Sequence, residues 1–187
     1  MKQKIIIITA PSGAGKTSIT GFLLKEYPQL AFWVSAATRK ARSNERDGKD
    51  YHFMSQEEFT EKIQAGEFVE WEMVYEGKYY GTVKSELQRI WKQGQVPVLD
   101  IDVKGDIHVQ QQFPDTTLSL FIEPPWVDEL KNRLESRGTE TPESLQDRVN
   151  KASYEISFKH YFHKSIVNDN LEKACRLAKQ YVAEFLL

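Results

Sequence analysis

Residues 10–17 read Ala-Pro-Ser-Gly-Ala-Gly-Lys-Thr and follow directly on four consecutive isoleucines, Ile5 to Ile8. An apolar strand, a glycine-rich turn and a Lys-Thr pair opening a helix together make a polyphosphate-binding loop. Gly13 and Gly15 let the backbone curl until its N–H groups converge on phosphate oxygens. The helix adds its positive N-terminal end. Lys16 then reaches the β- and γ-phosphates, and the Thr17 hydroxyl holds Mg²⁺. The usual pattern opens on Gly where this chain has Ala10, but the Gly-x-Gly-Lys-Thr core that touches phosphate is intact. A plain glycine turn would leave Lys16-Thr17 to chance.

A second cluster is richer in cations. Residues 35–42 read Ser-Ala-Ala-Thr-Arg-Lys-Ala-Arg, and Gly-Lys-Asp-Tyr follows at 48–51. The guanidinium forks of Arg39 and Arg42 with the Tyr51 phenol suit a phosphate dianion; taken alone, a solvated charged loop is the commoner meaning. Beyond lie Phe68-Val69-Glu70-Trp71 and Tyr79-Tyr80-Gly81-Thr82. Glu70, flanked by apolar residues, could accept two hydrogen bonds from a base edge with adjacent donors, which guanine has and adenine lacks. An outward-facing strand glutamate competes with that reading.

The elements that must hold these residues alternate. Residues 3–9 form an apolar run suited to a strand buried on both faces, and a helix runs from about Lys16 to Glu26, before Pro28. A short strand at 31–35 leads into a polar loop at 36–50. Ser55 and Glu58 form a capping box for a helix ending at Gly66, and 67–81 form a hairpin about Glu76-Gly77. A helix from about Val83 closes at Gly94. Val96 to Asp102 read as a second buried strand, followed by a helix at 104–112 and a strand at 117–122. Pro124-Pro125 opens a helix with Leu130 and Leu134 on one face. Thr141 and Pro142 start the next helix; a strand at 165–168 and a helix at 170–186 end the chain. This alternation predicts an α/β parallel sheet, interrupted by an antiparallel-looking insertion at about 36–82.

Bulk properties set bounds. A chain of 187 residues with 40% hydrophobic and 28% charged residues builds a core and is not disordered. A net charge of −2 gives no basic footprint for nucleic acid or membrane. Cys175 is the one cysteine, so there is no disulfide framework. No stretch is long enough to span a membrane, and the cytoplasm is the expected location.

Taken in order, these blocks resemble the guanylate kinases, and the resemblance covers nearly the whole chain. It continues through Leu-Asp-Ile-Asp-Val-Lys-Gly at 99–105, Arg-Gly-Thr-Glu-Thr at 137–141 and Ile-Val-Asn-Asp at 166–169. The resemblance implies transfer of the γ-phosphoryl group of ATP to GMP or dGMP, with Mg²⁺. It implies a P-loop NTPase-type parallel sheet flanked by helices, with an inserted α+β GMP-binding subdomain and a lid. The core would take about 1–35, 83–125 and 150–187, the insertion 36–82 and the lid about 126–149. Ser12, Gly13, Ala14, Gly15, Lys16, Thr17 and Ser18 would line the ATP phosphates, and Asn168 would touch adenine. Arg39, Arg42, Tyr51 and Tyr80 would hold the GMP phosphate. Glu70 would take the guanine N1 and N2 protons, with Ser35 and Thr82 at O6. Asp100, at the end of its strand, would orient guanine or serve the metal shell, with Asp102 beside it. Of the lid-side arginines, Arg137 and Arg148 would join Lys16 at the transferring group, with Arg133 nearby. Two positions depart from the common pattern: Ala41 replaces a Pro, and Trp126 replaces a helix-capping Ser.

The acceptor in such a reaction is a phosphate oxygen already ionised near neutral pH. It needs no general base, and the chain has no evident His or Asp base motif. Other classes remain open: a phosphopeptide-binding module built on the same domain, or a kinase of another small phosphate ester. Intact Lys16 argues against the first, and the Glu70–Ser35 set argues against the second.

Overall fold

The computed structural model of the chain describes residues 3–43, 45–136 and 142–187. In chain order, β1 (Ile5–Thr9), α1 (Lys16–Glu26) and β2 (Leu30–Phe32) come first. Then follow β3 (Ala36–Ala37), β4 (His52–Phe53), α2 (Gln56–Gln64), β5 (Phe68–Tyr75) and β6 (Lys78–Val83). The chain continues through α3 (Lys84–Lys92), β7 (Val96–Asp100), α4 (Val103–Gln112), β8 (Thr117–Glu123) and α5 (Val127–Glu135). It ends with α6 (Pro142–Ile156), a 3₁₀ turn (Lys159–Tyr161), β9 (Lys164–Val167) and α7 (Leu171–Leu186).

Five strands form a parallel sheet in the order β2-β7-β1-β8-β9. Its centre is the isoleucine run, and the alternation of side chains across a strand splits it between two cores. Ile6 and Ile8 face the cluster under α1 and α7; Ile5 and Ile7 face the one with Leu87, Ile90 and Val109 of α3 and α4. All four are fully buried, each worth about 1.5–3 kcal/mol in removed apolar surface. Such a doubly covered parallel sheet with helices on both faces is the expected α/β architecture.

Four further strands form a second sheet, β4-β3-β6-β5. It is mixed: β3 runs parallel to β4 and antiparallel to β6, while β5 and β6 form the antiparallel hairpin. Helix α2 covers this sheet through Phe59, which stacks on Phe68 at 4.4 Å between ring centres. The capping box is present in full: the Ser55 hydroxyl accepts from the Glu58 N–H, and Glu58 accepts from the Ser55 N–H.

Three boundaries differ from the sequence expectation. The strand predicted to run to Asp102 stops at Asp100, because Asp102 caps α4 with its carboxylate on the Gly105 N–H. Ala36-Ala37, at the head of the polar loop, pair into the second sheet. The strand placed at 31–35 occupies Leu30–Phe32, where β7 offers it partners. Trp126 caps α5 without a side-chain hydrogen bond, as its loss of Ser predicts. Among the described residues no helix is long and apolar enough to cross a membrane.

Candidate active site

The loop of residues 10–15 leaves the carboxyl end of β1 and turns through Gly13 and Gly15, whose φ angles are 93° and 100°. Those values are strained for any residue with a Cβ. A Cβ on Gly15 would also run into the Asn168 amide, which donates to the Ala14 carbonyl at 2.8 Å. Helix α1 then starts with no side-chain cap and no acidic residue in its first turn. By contrast, Ser55, Asp102 and Asn170 cap α2, α4 and α7. The orphan N–H groups at the α1 terminus are therefore left facing outward with their positive field, ready for an anion.

Opposite this loop stands the second sheet, and between them lies a cleft of about 420 Å³. The loop residues Ser12, Gly13, Gly15, Lys16, Thr17 and Ser18 line one wall. Ser35, Arg39, Arg42, Tyr51, Glu70 and Tyr80 line the other. Asp100 sits at the floor, at the carboxyl end of β7, and Arg148 closes the side from α6. The cleft thus brings together residues separated by more than 130 positions in sequence, with Arg148 donating to the Ser12 hydroxyl at 2.7 Å.

Lys16 forms an ion pair with Asp100, each about a quarter exposed. Burial, the largest single influence, acts to lower the Lys16 pKa, but the charge and hydrogen bond of Asp100, together with Tyr51 and Glu155, turn the net shift upward. Asp100 thereby belongs to the loop side of the cleft, beside the place where a triphosphate and its metal would sit. Arg39 holds the Glu45 carboxylate in a bidentate fork at 2.5 and 2.7 Å and donates from Nε to the Tyr80 hydroxyl at 3.1 Å. Its guanidinium also lies 4.9 Å from the centre of the Tyr51 ring. The Arg39 fork holds the Glu45 pKa at about 2, and burial pushes the Tyr51 phenol up.

Glu70 sits on β5 opposite Thr82 of β6, whose hydroxyl donates to Glu70 Oε1. Both are buried, Glu70 at 7% exposure. Desolvation raises the Glu70 pKa to about 7, against the Thr82 hydrogen bond that lowers it; Asp102 and Glu72 add repulsion. The outward-facing alternative for Glu70 is thereby removed. Along β5 the period of two is explicit: Glu70, Glu72 and Val74 line the cleft, while Trp71 and Met73 are exposed on the other face.

Other predicted site residues stand elsewhere. Thr82 is fully buried and holds Glu70 instead of lining the cleft. Asn168 is buried behind the phosphate loop, with its side-chain amide spent on Ala14 and its backbone carbonyl accepting from Arg133 at 3.1 Å. Ala14 is fully buried, and Arg133 pairs with Glu129. Asp102 lines the cleft as the α4 cap. Arg137 lies outside the described residues, as do Gly138 and Thr141.

Four charged residues of the cleft escaped sequence reasoning: Glu45, Glu72, Lys151 and Glu155. Helical spacing carried the signal for two of them. Lys151 and Glu155 lie three and seven residues after Arg148, on the same face of α6. Glu155 is buried, which raises its pKa, and stands 3.8 Å from Lys151. Glu72 was legible from the strand period, two residues after Glu70. Nothing local marks Glu45 as the partner of an arginine six residues earlier.

Thr17 and Asp100 both line the cleft and offer a hydroxyl and a carboxylate, hard oxygens that could serve a metal. No group of three or more His, Cys, Asp or Glu able to hold a metal occurs among the described residues. That composition fits Mg²⁺, which keeps several waters and takes one or two protein oxygens beside substrate phosphates.

The family model described as guanylate kinase matches residues 2–185. A guanylate kinase of Bacteroides fragilis is 45% identical over 185 residues, covering 99% of this chain and 91% of the relative. One of Salinibacter ruber is 46% identical over 184 residues, covering 98% and 97%. Among solved structures, guanylate kinase from Anaplasma phagocytophilum superposes with a TM-score of 0.77 at 29% identity, covering 98% of this chain and 87% of that one. Shikimate kinase from Bacteroides thetaiotaomicron, at 16% identity and a TM-score of 0.52 over 98% of both chains, shares the fold.

Proposed function

The chain belongs to the guanylate kinase family of ATP:GMP phosphotransferases, and we propose that its cleft transfers the γ-phosphoryl group of ATP to GMP with the residues placed as follows. The carrying observation is that Lys16 and Glu70, a cation for the donor phosphates and a buried carboxylate for a base, line one cleft from opposite walls. ATP enters on the loop wall, its phosphates on the N–H groups of residues 12–18 and on Lys16. GMP enters on the wall of the second sheet, its phosphate on Arg39, Arg42, Tyr51 and Tyr80 and its base on Glu70 with Ser35. Thr82 serves by aiming Glu70, and Asn168 by bracing the loop under ATP. In the same reading residues 36–82 bind the acceptor and about 126–149 cover the donor side, Arg137 included.

A GMP phosphate oxygen attacks the γ-phosphorus. That bond forms as the bond from phosphorus to the β–γ bridging oxygen breaks, and ADP leaves. No proton need be removed from the acceptor, so the work is positioning two anions and neutralising their charge. Lys16 and Arg148 supply cations on the line of transfer. Thr17 and Asp100 would hold Mg²⁺, which shields the phosphate oxygens when bound. Closure of the cleft over both substrates would keep out water, which would otherwise hydrolyse ATP.

A coupled ADP-release assay with ATP and each nucleoside monophosphate tests the assignment. GMP is expected to be the preferred acceptor, and AMP, CMP or UMP turned over as well as GMP would refute it. The raised pKa of Glu70 adds a pH dependence. Below about pH 7 the carboxyl of the free enzyme is protonated, and one of its two acceptor positions becomes a donor facing a guanine N–H. The value of kcat/KM for GMP therefore rises with pH through about 7 and levels off above it. This step is separable from ionisation of GMP itself, near pH ~6 for a phosphomonoester. In Glu70→Gln only the lower inflection should remain; an unchanged profile would detach the upper one from Glu70.

A further inference from the structure

Resting on the guanine reading above, we propose that Gly105 is a specificity-determining positioning residue: its missing side chain lets the Glu70 carboxylate stand where it reads the base. Gly105 is buried in the first turn of α4, between the cap Asp102 and the buried Asp106. Its backbone is not in the left-handed region, so conformation alone does not call for glycine. Placed within a helix, glycine costs about 0.5–1 kcal/mol relative to alanine. Space explains it. A Cβ on Gly105 would lie 2.8 Å from Glu70 Oε2, 3.1 Å from Glu70 Cδ and 3.3 Å from Asp102 Oδ1.

What yields to an added methyl group is decided by what is held. Helix α4 cannot retreat. Its cap binds Asp102 to the Gly105 N–H at 2.9 Å. Its next residue, Asp106, is fully buried and accepts from Thr9 at 2.8 Å, Ser119 at 2.7 Å and Gln110 at 2.9 Å. Thr9 and Ser119 belong to β1 and β8, so this carboxylate bolts α4 to the central sheet. On the other side, β5 is paired with β6 and is held by Gln112, which donates to the Val69 carbonyl at 2.6 Å. The movable part is the end of the Glu70 side chain. It must leave the Thr82 hydroxyl and rotate, and its two oxygens then no longer face two adjacent donors of a base.

The test compares GMP with inosine monophosphate, which lacks the exocyclic amine that Glu70 would accept from. In Gly105→Ala the preference for GMP over inosine monophosphate, as a ratio of kcat/KM values, should fall by about tenfold or more. KM for GMP should carry the loss, with kcat at saturation and the Kd for ATP changing by less than about threefold. Gly21→Ala, at a helical glycine with open space around it, is the control for helix propensity and should leave all of these as they are. In a Glu70→Asp background, where the shorter side chain vacates the contact, Gly105→Ala should add no further loss. An unchanged base preference would overturn the proposal, as would a parallel fall in ATP affinity or equal losses in both backgrounds. Failure to fold only beside the full-length Glu70 would support the contact; failure in both backgrounds would overturn it. Wild-type protein that does not separate the two acceptors refutes the guanine reading itself, before any variant is made.

Discussion

Lys16→Ala should lose on the order of 10²–10³ in kcat, the size found when one preorganised group that stabilises transition-state charge is removed. Among the described residues that line the cleft, Lys16 is the one cation carried by the loop itself. Arg148 approaches Ser12 from the α6 side, and Arg39 is held on the opposite wall by Glu45 and Tyr80. The fold should survive. The Lys16–Asp100 pair is partly exposed on both sides, and such pairs contribute about 0–1 kcal/mol. The freed Asp100 stays about a quarter exposed, so water can solvate its carboxylate. Single-turnover phosphoryl transfer with thermal melting checks both halves of the expectation. A near-normal kcat would remove Lys16 from the mechanism, and a collapse of the melting temperature would make it structural.

Glu70→Gln should cut kcat/KM for GMP by up to about 10⁴-fold while the Kd for ATP stays within about twofold, as in sites built to hydrogen-bond a substrate group. The substitution keeps length and volume. The Thr82 hydroxyl can still donate to the amide oxygen, so the amide nitrogen is turned toward the cleft and meets a guanine N–H donor to donor. Stability should hold or improve at neutral pH. Glu70 is buried and its folded pKa of about 7 exceeds the ordinary value of 4.5. By linkage, its ionisation costs the folded state stability as pH rises from 4.5 through about 7. An uncharged amide escapes that cost. Titration calorimetry with each nucleotide separately, alongside kinetics, reads the split. Equal losses for GMP and ATP would make Glu70 a structural residue.

What could be read in the sequence was what is local. The isoleucine run, the glycine pair before Lys16 and the capping box of Ser55 and Glu58 each specify their structure within a few residues, and each is found. The side of β5 that Glu70 occupies follows from the strand period once one neighbour is known to face the solvent. What escaped was decided across long separations. Asn168 is bound to Ala14, 154 residues away, and no periodicity signals that its amide is consumed by the loop. In the sequence Asp102 looks like a strand end because the apolar run continues to Ile101; the competing signal, an Asp three residues before a buried glycine N–H, belongs to the helix that follows. Glu45 carries no local signal, because a carboxylate in an arginine-rich loop says nothing of which cation it will meet. Folding selects Arg39, the one that Tyr51, Phe53 and Tyr80 already surround.

The two sheets share no strand, and the backbone passes between them at two places only: after Phe32 and at the step from Val83 to Lys84. Everything that we assign to the acceptor base is carried between those joins, apart from the α4 turn that backs Glu70. The core under α1 and α7 is complete without that segment, and the core under α3 and α4 takes only Trp33 and Val69 from it. Such a layout separates inheritance from innovation. A lineage can rewrite fifty residues, and with them the molecule that is phosphorylated, while the half that handles the donor passes unaltered from ancestor to descendant. An engineer has the same two splice points.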